Sequence, residues 1–144
     1  MFTSILTPVD GSPPSDAAVK LAIAMAKAYK AKLLFLYAVA IPLPVHDAGG
    51  FAREQIMQEE QTRGDEILGE AMKLAKDAGV AAQTQLVGGS VSEAVLTAAD
   101  EHACDVIVMG THGRTGIARA VLGSKTADVI ARSPLPVLVA PHLS

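Results

Sequence analysis

Three glycines and a serine stand at a spacing that suits a bound phosphate. Gly110 is followed after two residues by Gly113, and Gly123-Ser124 comes nine residues later. Before them lies Asp105-Val106-Ile107-Val108-Met109, apolar enough for a buried strand, and after them Thr126 to Ala131 has the composition of a helix. A strand, a glycine-rich loop and a helix start in succession make an anion site. Glycine lets the backbone come close to a ligand, and the free amides and dipole of a helix start favour negative charge. The plainer reading is an ordinary loop whose glycines only serve turns.

A second unusual loop, Asp10-Gly11-Ser12, ends the apolar run Ile5 to Val9. In an open parallel sheet, ligands bind at the carboxyl ends of strands where the strand order reverses. If the strands before Asp10 and before Gly110 are neighbours at that point, both loops face one cleft. Asp10 then serves as a turn or cap residue, or reaches a ribose or the shell of a metal ion. Ser124 caps its helix, meets a phosphate, or does both. Arg114 is a phosphate contact or a solvated loop charge. His112 has no serine or cysteine and acid placed to form a triad with it, so it is read as a loop or ligand-edge residue, and no catalytic residue is assigned. His46, His102 and His142 are too scattered for a metal-ligand pattern. No Gly-x-x-x-x-Gly-Lys-Ser/Thr and no Gly-x-Gly-x-x-Gly follows the first strand, which disfavours a P-loop enzyme and a dinucleotide-binding dehydrogenase.

The elements that must hold these loops follow from hydrophobic periodicity. After Pro13-Pro14, with Ser15 or Ser12 as N-cap, a helix buries Ala18, Leu21, Ala22, Met25 and Ala26. Lys32 to Val39 reads as a strand covered on both faces, and Ile41 to Gly50 as a long loop. A helix from about Phe51 to Ala78 carries Ile56, Glu60, Ile67, Ala71, Leu74 and Ala78 as a rough stripe, weakened at Gly64 and Gly69 and stopped at Gly79. Val80 to Val87 is a half-covered strand. Ser90 or Ser92 caps a helix from Glu93 to Cys104, the last helix ends near Arg132, and Val137 to Ala140 is a closing strand. Strand and helix alternate throughout, so the fold is α/β, a doubly wound parallel sheet with helices on both faces in a single domain over residues 1–144.

Composition sets outer limits. The 144 residues are 50% hydrophobic but only 3% aromatic, so small aliphatic side chains build the interior. The net charge is −3 with no long basic run, which argues against nucleic acid as a partner. The single cysteine, Cys104, allows no intrachain disulfide and reads as a small buried hydrophobe. No apolar run is long enough to span a membrane, and Met1 to Ser4 lacks the features of a signal peptide, so the expected location is cytoplasmic.

Over nearly its whole length the chain resembles the universal stress protein family. The resemblance is carried by Ile5-Leu6-Thr7-Pro8-Val9-Asp10-Gly11-Ser12, by Leu36-Tyr37-Ala38, by Asp105 to Arg114, by Gly123-Ser124 and by Pro136-Val137-Leu138-Val139. Its glycine spacing is that of the ATP-binding branch. The resemblance implies five parallel strands in the order 3-2-1-4-5 (the adenine nucleotide alpha hydrolase-like fold), a homodimer, and ATP, with Mg2+, between the first and fourth strand ends. It puts Pro8, Val9 and Asp10 on the adenosine side, Asp10 near ribose or metal, and Ala38 against adenine. It puts Met109, Gly110, Thr111, His112, Gly113, Gly123 and Ser124 around ribose and phosphates, with Arg114, Lys125 and Thr126 beside them. Tyr37 stands where the family usually has His, Ala38 where it has Val, and Lys125 where an apolar residue is common. The function implied is a nucleotide-dependent sensor in the stress response with an unknown protein partner. Alternatives are a slow ATPase or self-phosphorylating enzyme, and a dimeric interaction module with a vestigial pocket. The strand Val137 to Ala140 is expected at the sheet edge, and pairing it with a second copy would cover it.

Overall fold

The computed structural model describes residues 1–40, 49–112 and 122–141. Its elements are β1 (Ser4–Pro8), α1 (Pro13–Tyr29), β2 (Lys32–Val39), α2 (Gly49–Asp77), β3 (Ala82–Gly88), α3 (Val91–Glu101), β4 (Val106–Gly110), α4 (Ser124–Arg132) and β5 (Val137–Ala140). All pairings are parallel, in the order β3-β2-β1-β4-β5. The expected strand order is thus observed, with β5 at an edge. Most of the expected Ile41 to Gly50 loop lies outside the described residues, and Gly49 and Gly50 already belong to α2.

Side chains of a strand alternate between its two faces, and here the alternation sorts the core into two layers. Ile5, Leu33, Phe35, Tyr37, Val106 and Val108 meet α1 and α2 on one face. Leu6, Leu34, Leu36, Ile107 and Met109 meet α3 and α4 on the other. The helices answer with alanines, among them Ala18, Ala22 and Ala26 on α1 and Ala94, Ala98 and Ala99 on α3. Small helix residues bring the helix axes close to the sheet, which is how so few aromatics fill the interior. Thr7 is the exception. It is fully buried in β1, and its hydroxyl has no hydrogen-bond partner among the described residues.

Backbone groups along β1 point alternately to its two neighbours. The Thr3 carbonyl accepts from Lys32 on the β2 side, the Ser4 carbonyl accepts from Asp105 on the β4 side, and the Val9 amide donates to Leu36 on the β2 side. By that alternation Pro8 faces β4, and it has no N–H to offer. The β1–β4 register accordingly covers only Ile5 with Val106 and Leu6 with Ile107, whereas β1 stays paired with β2 as far as Pro8. Beyond Leu6 the two strands are free to part.

Several helix ends differ from expectation. Ser12, not Ser15, caps α1. Its hydroxyl accepts from the Ser15 amide, with Pro13 and Pro14 filling the first turn. Ser15 instead accepts a hydrogen bond from the Asp10 amide at 3.0 Å, so it braces the loop before the helix. Ser90 caps α3, which ends at Glu101 rather than Cys104, because Ala103 turns into positive φ to enter β4. In α2, Gly64 is the point of contact rather than a weakness. A Cβ there would lie 2.5 Å from Cδ1 of the Tyr37 ring and 2.9 Å from Leu86 Cδ1. A mid-helix glycine costs about 1 kcal/mol, and here it lets α2 lie directly on β2. The buried stripe is therefore Gly64, Leu68, Ala71 and Ala75, while Ile56 and Leu74 of the expected stripe are exposed.

Opposite the cleft end of the sheet, Asp105 ties β1 to the entry of β4. Its carboxylate accepts from the Thr3 amide at 2.8 Å, the Thr3 hydroxyl at 3.0 Å and the Ser4 amide at 3.2 Å. Partial burial works to raise its pKa, but these hydrogen bonds outweigh it and hold the carboxyl below the ordinary aspartate range. Beside it, burial pushes the Cys104 thiol up, and the side chain packs as the small buried hydrophobe expected.

A folded-state pKa below that of an unfolded aspartate (about 3.9) contributes stability that is complete above that pH and lost as pH falls through the folded value. Asp105→Asn is expected to lower the unfolding free energy at neutral pH by about 1–2 kcal/mol. The gap to wild type should close as pH falls below about 4. Urea denaturation across that range measures it. An equal gap at neutral and acid pH would show that the ionised carboxylate is not what joins the strands.

Candidate functional site

Where β1 and β4 part, a cleft of about 410 Å³ opens at the carboxyl ends of the strands. That is within the usual range for a small-molecule site. It is lined by Pro8, Val9 and Asp10 after β1, Leu36 and Ala38 of β2, Met109 and Gly110 of β4, and His112. Ser15 of α1, Glu60 and Arg63 of α2, Val91 and Val95 of α3, and Lys125 and Thr126 of α4 complete the wall. Among the described residues, Asp10 after β1 and Gly110 and His112 at the end of β4 line the same cleft.

Asp10 is a turn residue and a cleft residue at once. Its Oδ1 accepts from the Ser12 amide at 2.9 Å, closing the turn that leads into α1. Gly11 sits in that turn at φ +81°, where a side chain would be strained. Two of the glycines of the second loop have spatial reasons of their own. A Cβ on Gly110 would stand 2.6 Å from the Pro14 carbonyl oxygen, and one on Gly123 2.8 Å from the His112 Cβ. These glycines let β4 end against the first turn of α1 and let α4 begin against Thr111-His112.

The start of α4 is arranged for an anion. Its N-cap is Gly123, not Ser124, so no cap side chain occupies the first-turn amides. Lys125 is in that turn, and no acidic residue is. The charge of Lys125 and the positive end of the helix dipole coincide there. Thr126 is buried, and its hydroxyl donates to the Gly110 carbonyl at 2.9 Å, clamping the end of β4 to α4. The Gly123 amide donates to the Thr111 carbonyl at 2.8 Å.

Of the remaining expected site residues, Thr111 and Gly123 do not line the cleft, and Ser124 opens instead onto an adjoining depression with Ser90, Ser92 and Asp128. Thr111 and Gly123 are spent on each other, and Ser124 is displaced outward because Gly123 holds the cap position. Gly113 and Arg114 lie outside the described residues. His112 is at the rim with its Nδ1 3.1 Å from the Thr111 hydroxyl. Among the described residues no three of His, Cys, Asp and Glu cluster to hold a metal. No described helix is long and apolar enough to cross a membrane.

Ser15, Leu36, Glu60, Arg63, Val91 and Val95 were not foreseen from the sequence. Val91 and Val95, one turn apart after a strand and its glycines, could have been found by asking which helix starts crowd the strand ends. Glu60 and Arg63 carry no such local signal.

An open, doubly wound parallel sheet with its cleft at the reversal of strand order is the adenine nucleotide alpha hydrolase-like fold, shared with solved universal stress proteins. The Universal stress protein family model matches residues 1–141, and the chain belongs to that family. A universal stress protein of Methanocaldococcus jannaschii is 34% identical over 143 residues, covering 96% of this chain and 82% of its relative. The structure of UspA from Lactobacillus plantarum superposes with a TM-score of 0.88 at 25% identity, covering 96% of this chain and 97% of the other. A universal stress protein solved in complex with cAMP superposes with a TM-score of 0.72 at 27% identity, covering 99% of each chain.

The clamp between α4 and β4 is testable. Thr126→Val leaves the buried Gly110 carbonyl without its donor and is expected to cost about 1–2 kcal/mol of stability, whereas Thr126→Ser should retain most of it. Thermal unfolding of both variants decides. A valine variant that melts with wild type would mean the hydroxyl does not hold the cleft together.

Proposed function

We propose that this protein binds an adenine nucleotide in the cleft and acts as a homodimeric, nucleotide-dependent sensor in a cytoplasmic stress response. The supporting observation is the union, in one cleft, of an apolar slot with a cationic helix start. Val9, Ala38, Val91 and Met109 offer apolar surface suited to a base, with Leu36 and Val95 packed behind them, and Lys125 and the start of α4 suit phosphate. A related protein of known structure holds cAMP.

In this reading Pro8, Val9 and Ala38 flank the base, and Asp10 faces the ribose or a cation. Gly110, His112, Lys125 and Thr126 surround the phosphates, with Gly113 and Arg114 as the further contacts expected from the same loop. ATP with Mg2+ is the preferred ligand. With Asp10 as the one carboxylate on that side among the described residues, the cation would take its other ligands from phosphate oxygens and water, as magnesium commonly does. When bound, it would neutralise phosphate charge. The reading assigns no general base, so occupancy rather than turnover carries the signal to a protein partner still to be found.

Calorimetric titration with ATP and Mg2+, together with mass spectrometry of nucleotide released on denaturation, tests the reading. Micromolar binding or co-purified nucleotide is expected, and Lys125→Ala should weaken ATP by about fivefold or more while leaving adenosine nearly unchanged. A protein that neither carries nor binds any adenine nucleotide would refute it.

The dimer rests on the β5 edge. Leu138 is 41% exposed there, and Ile130 of the adjacent α4 is 42% exposed. Light scattering at micromolar concentration is expected to give twice the 14.9 kDa chain mass, and Leu138→Arg to give the monomer. A wild-type monomer would overturn this part of the reading.

A further inference from the structure

We infer that Glu60 is a specificity determinant of the cleft, accepting a hydrogen bond from an N–H or O–H donor on the nucleoside end of the ligand. The inference rests on the nucleotide reading above. Strand order supplies the direction. Along β3-β2-β1-β4-β5, α2 packs on β2 and β3, whereas the anion-suited start of α4 is fastened to the end of β4 through Thr126. A nucleotide with its phosphates at α4 therefore extends its nucleoside past β1 toward β2 and the α2 wall. The charged groups that α2 contributes to that wall are Glu60 and Arg63.

The Glu60 carboxylate is oriented, not loose. The Tyr37 hydroxyl donates to its Oε2 at 2.5 Å, and Arg63 Nη1 donates to its Oε1 at 3.2 Å. Its side chain is only 19% exposed, whereas that of Arg63 is 55% exposed. An ionised carboxylate has about four acceptor positions, and these two donors leave capacity for a ligand. An exposed pair three residues apart on a helix contributes little by itself, so the pair alone does not account for this arrangement. The Tyr37 ring is fully buried against Gly64, which allows the close approach of α2 and brings the phenol up under Glu60. What results is a fixed acceptor at the nucleoside end of the slot. It suits an exocyclic amine or a ribose hydroxyl and opposes a carbonyl oxygen at the same place.

Calorimetry with AMP, IMP, 2′-deoxy-AMP and 3′-deoxy-AMP tests this on wild type, Glu60→Ala and Glu60→Gln, each checked for folding by circular dichroism. IMP replaces the amine of AMP by a carbonyl. Wild type is expected to prefer AMP over IMP by about tenfold or more, the ratio to fall to about twofold or less in Glu60→Ala, and Glu60→Gln to recover part of it. Loss of a deoxy ratio instead would support the inference with a ribose hydroxyl as the donor. If Glu60→Ala is folded, binds AMP and keeps every ratio, the inference is overturned and Glu60 only satisfies Tyr37. If wild type binds none of the four, the same ratios are read with ATP, ITP and 2′- and 3′-deoxy-ATP, and absence of binding there too means that the nucleotide reading itself fails. Tyr37→Phe provides a second variant. It keeps the carboxylate but removes one of its two donors, leaving it held by Arg63, and should narrow the affected ratio without abolishing it.

Discussion

The cleft depends on how the first strand ends. β1 is hydrogen-bonded to β2 along its full length but to β4 only through its first half, and Pro8 faces β4 with no N–H to extend the ladder. Two parallel strands that start together and then separate leave a wedge at their carboxyl ends. The chain enlarges it, since right-handed crossovers carry α1 and α2 to one face and α3 and α4 to the other. Asp105 secures the closed end of the wedge by holding Thr3 and Ser4 against β4.

Close approach then shapes what surrounds the wedge. Gly110 allows the end of β4 to touch the Pro14 carbonyl, Gly123 allows α4 to start beside His112, and Gly64 allows α2 to lie on the Tyr37 ring. Each omits a side chain where backbone or ring occupies the space. The glycine pattern that suggests a phosphate loop is thus in part a packing requirement. The two explanations reinforce each other, because the backbone that packs tightly at Gly123 is the backbone whose next amides are left uncapped at the start of α4. A polar network stiffens the same region: Ser15 holds the Asp10 amide, Asp10 holds the Ser12 amide, and Thr126 holds the Gly110 carbonyl.

Charge is distributed across the cleft with a direction. The α4 side presents Lys125 and the positive end of the helix, the middle presents Asp10, and the α2 side presents Glu60 with Arg63. A ligand with an anionic end, a polar centre and a flat donor-bearing end complements that order.

The sequence by itself determined the strand-helix alternation, the parallel sheet and the two unusual loops after the first and fourth strands. These follow from hydrophobic period and from glycine and proline punctuation, which are local properties. The strand order that puts β5 at an edge was implied by the family resemblance. The choice between Ser12 and Ser15, or between Gly123 and Ser124, as helix cap was not legible, because neighbouring residues compete for a cap and the winner is set by what else each must touch. Tertiary structure alone decided that Gly64 is a contact and that Ile56 and Leu74 stay in solvent. It also brought Glu60 and Arg63 into the cleft. Residues on a helix and residues on strands distant in sequence become neighbours only when the helix docks. That docking is governed by the volume left above Tyr37, a quantity no short stretch of sequence contains.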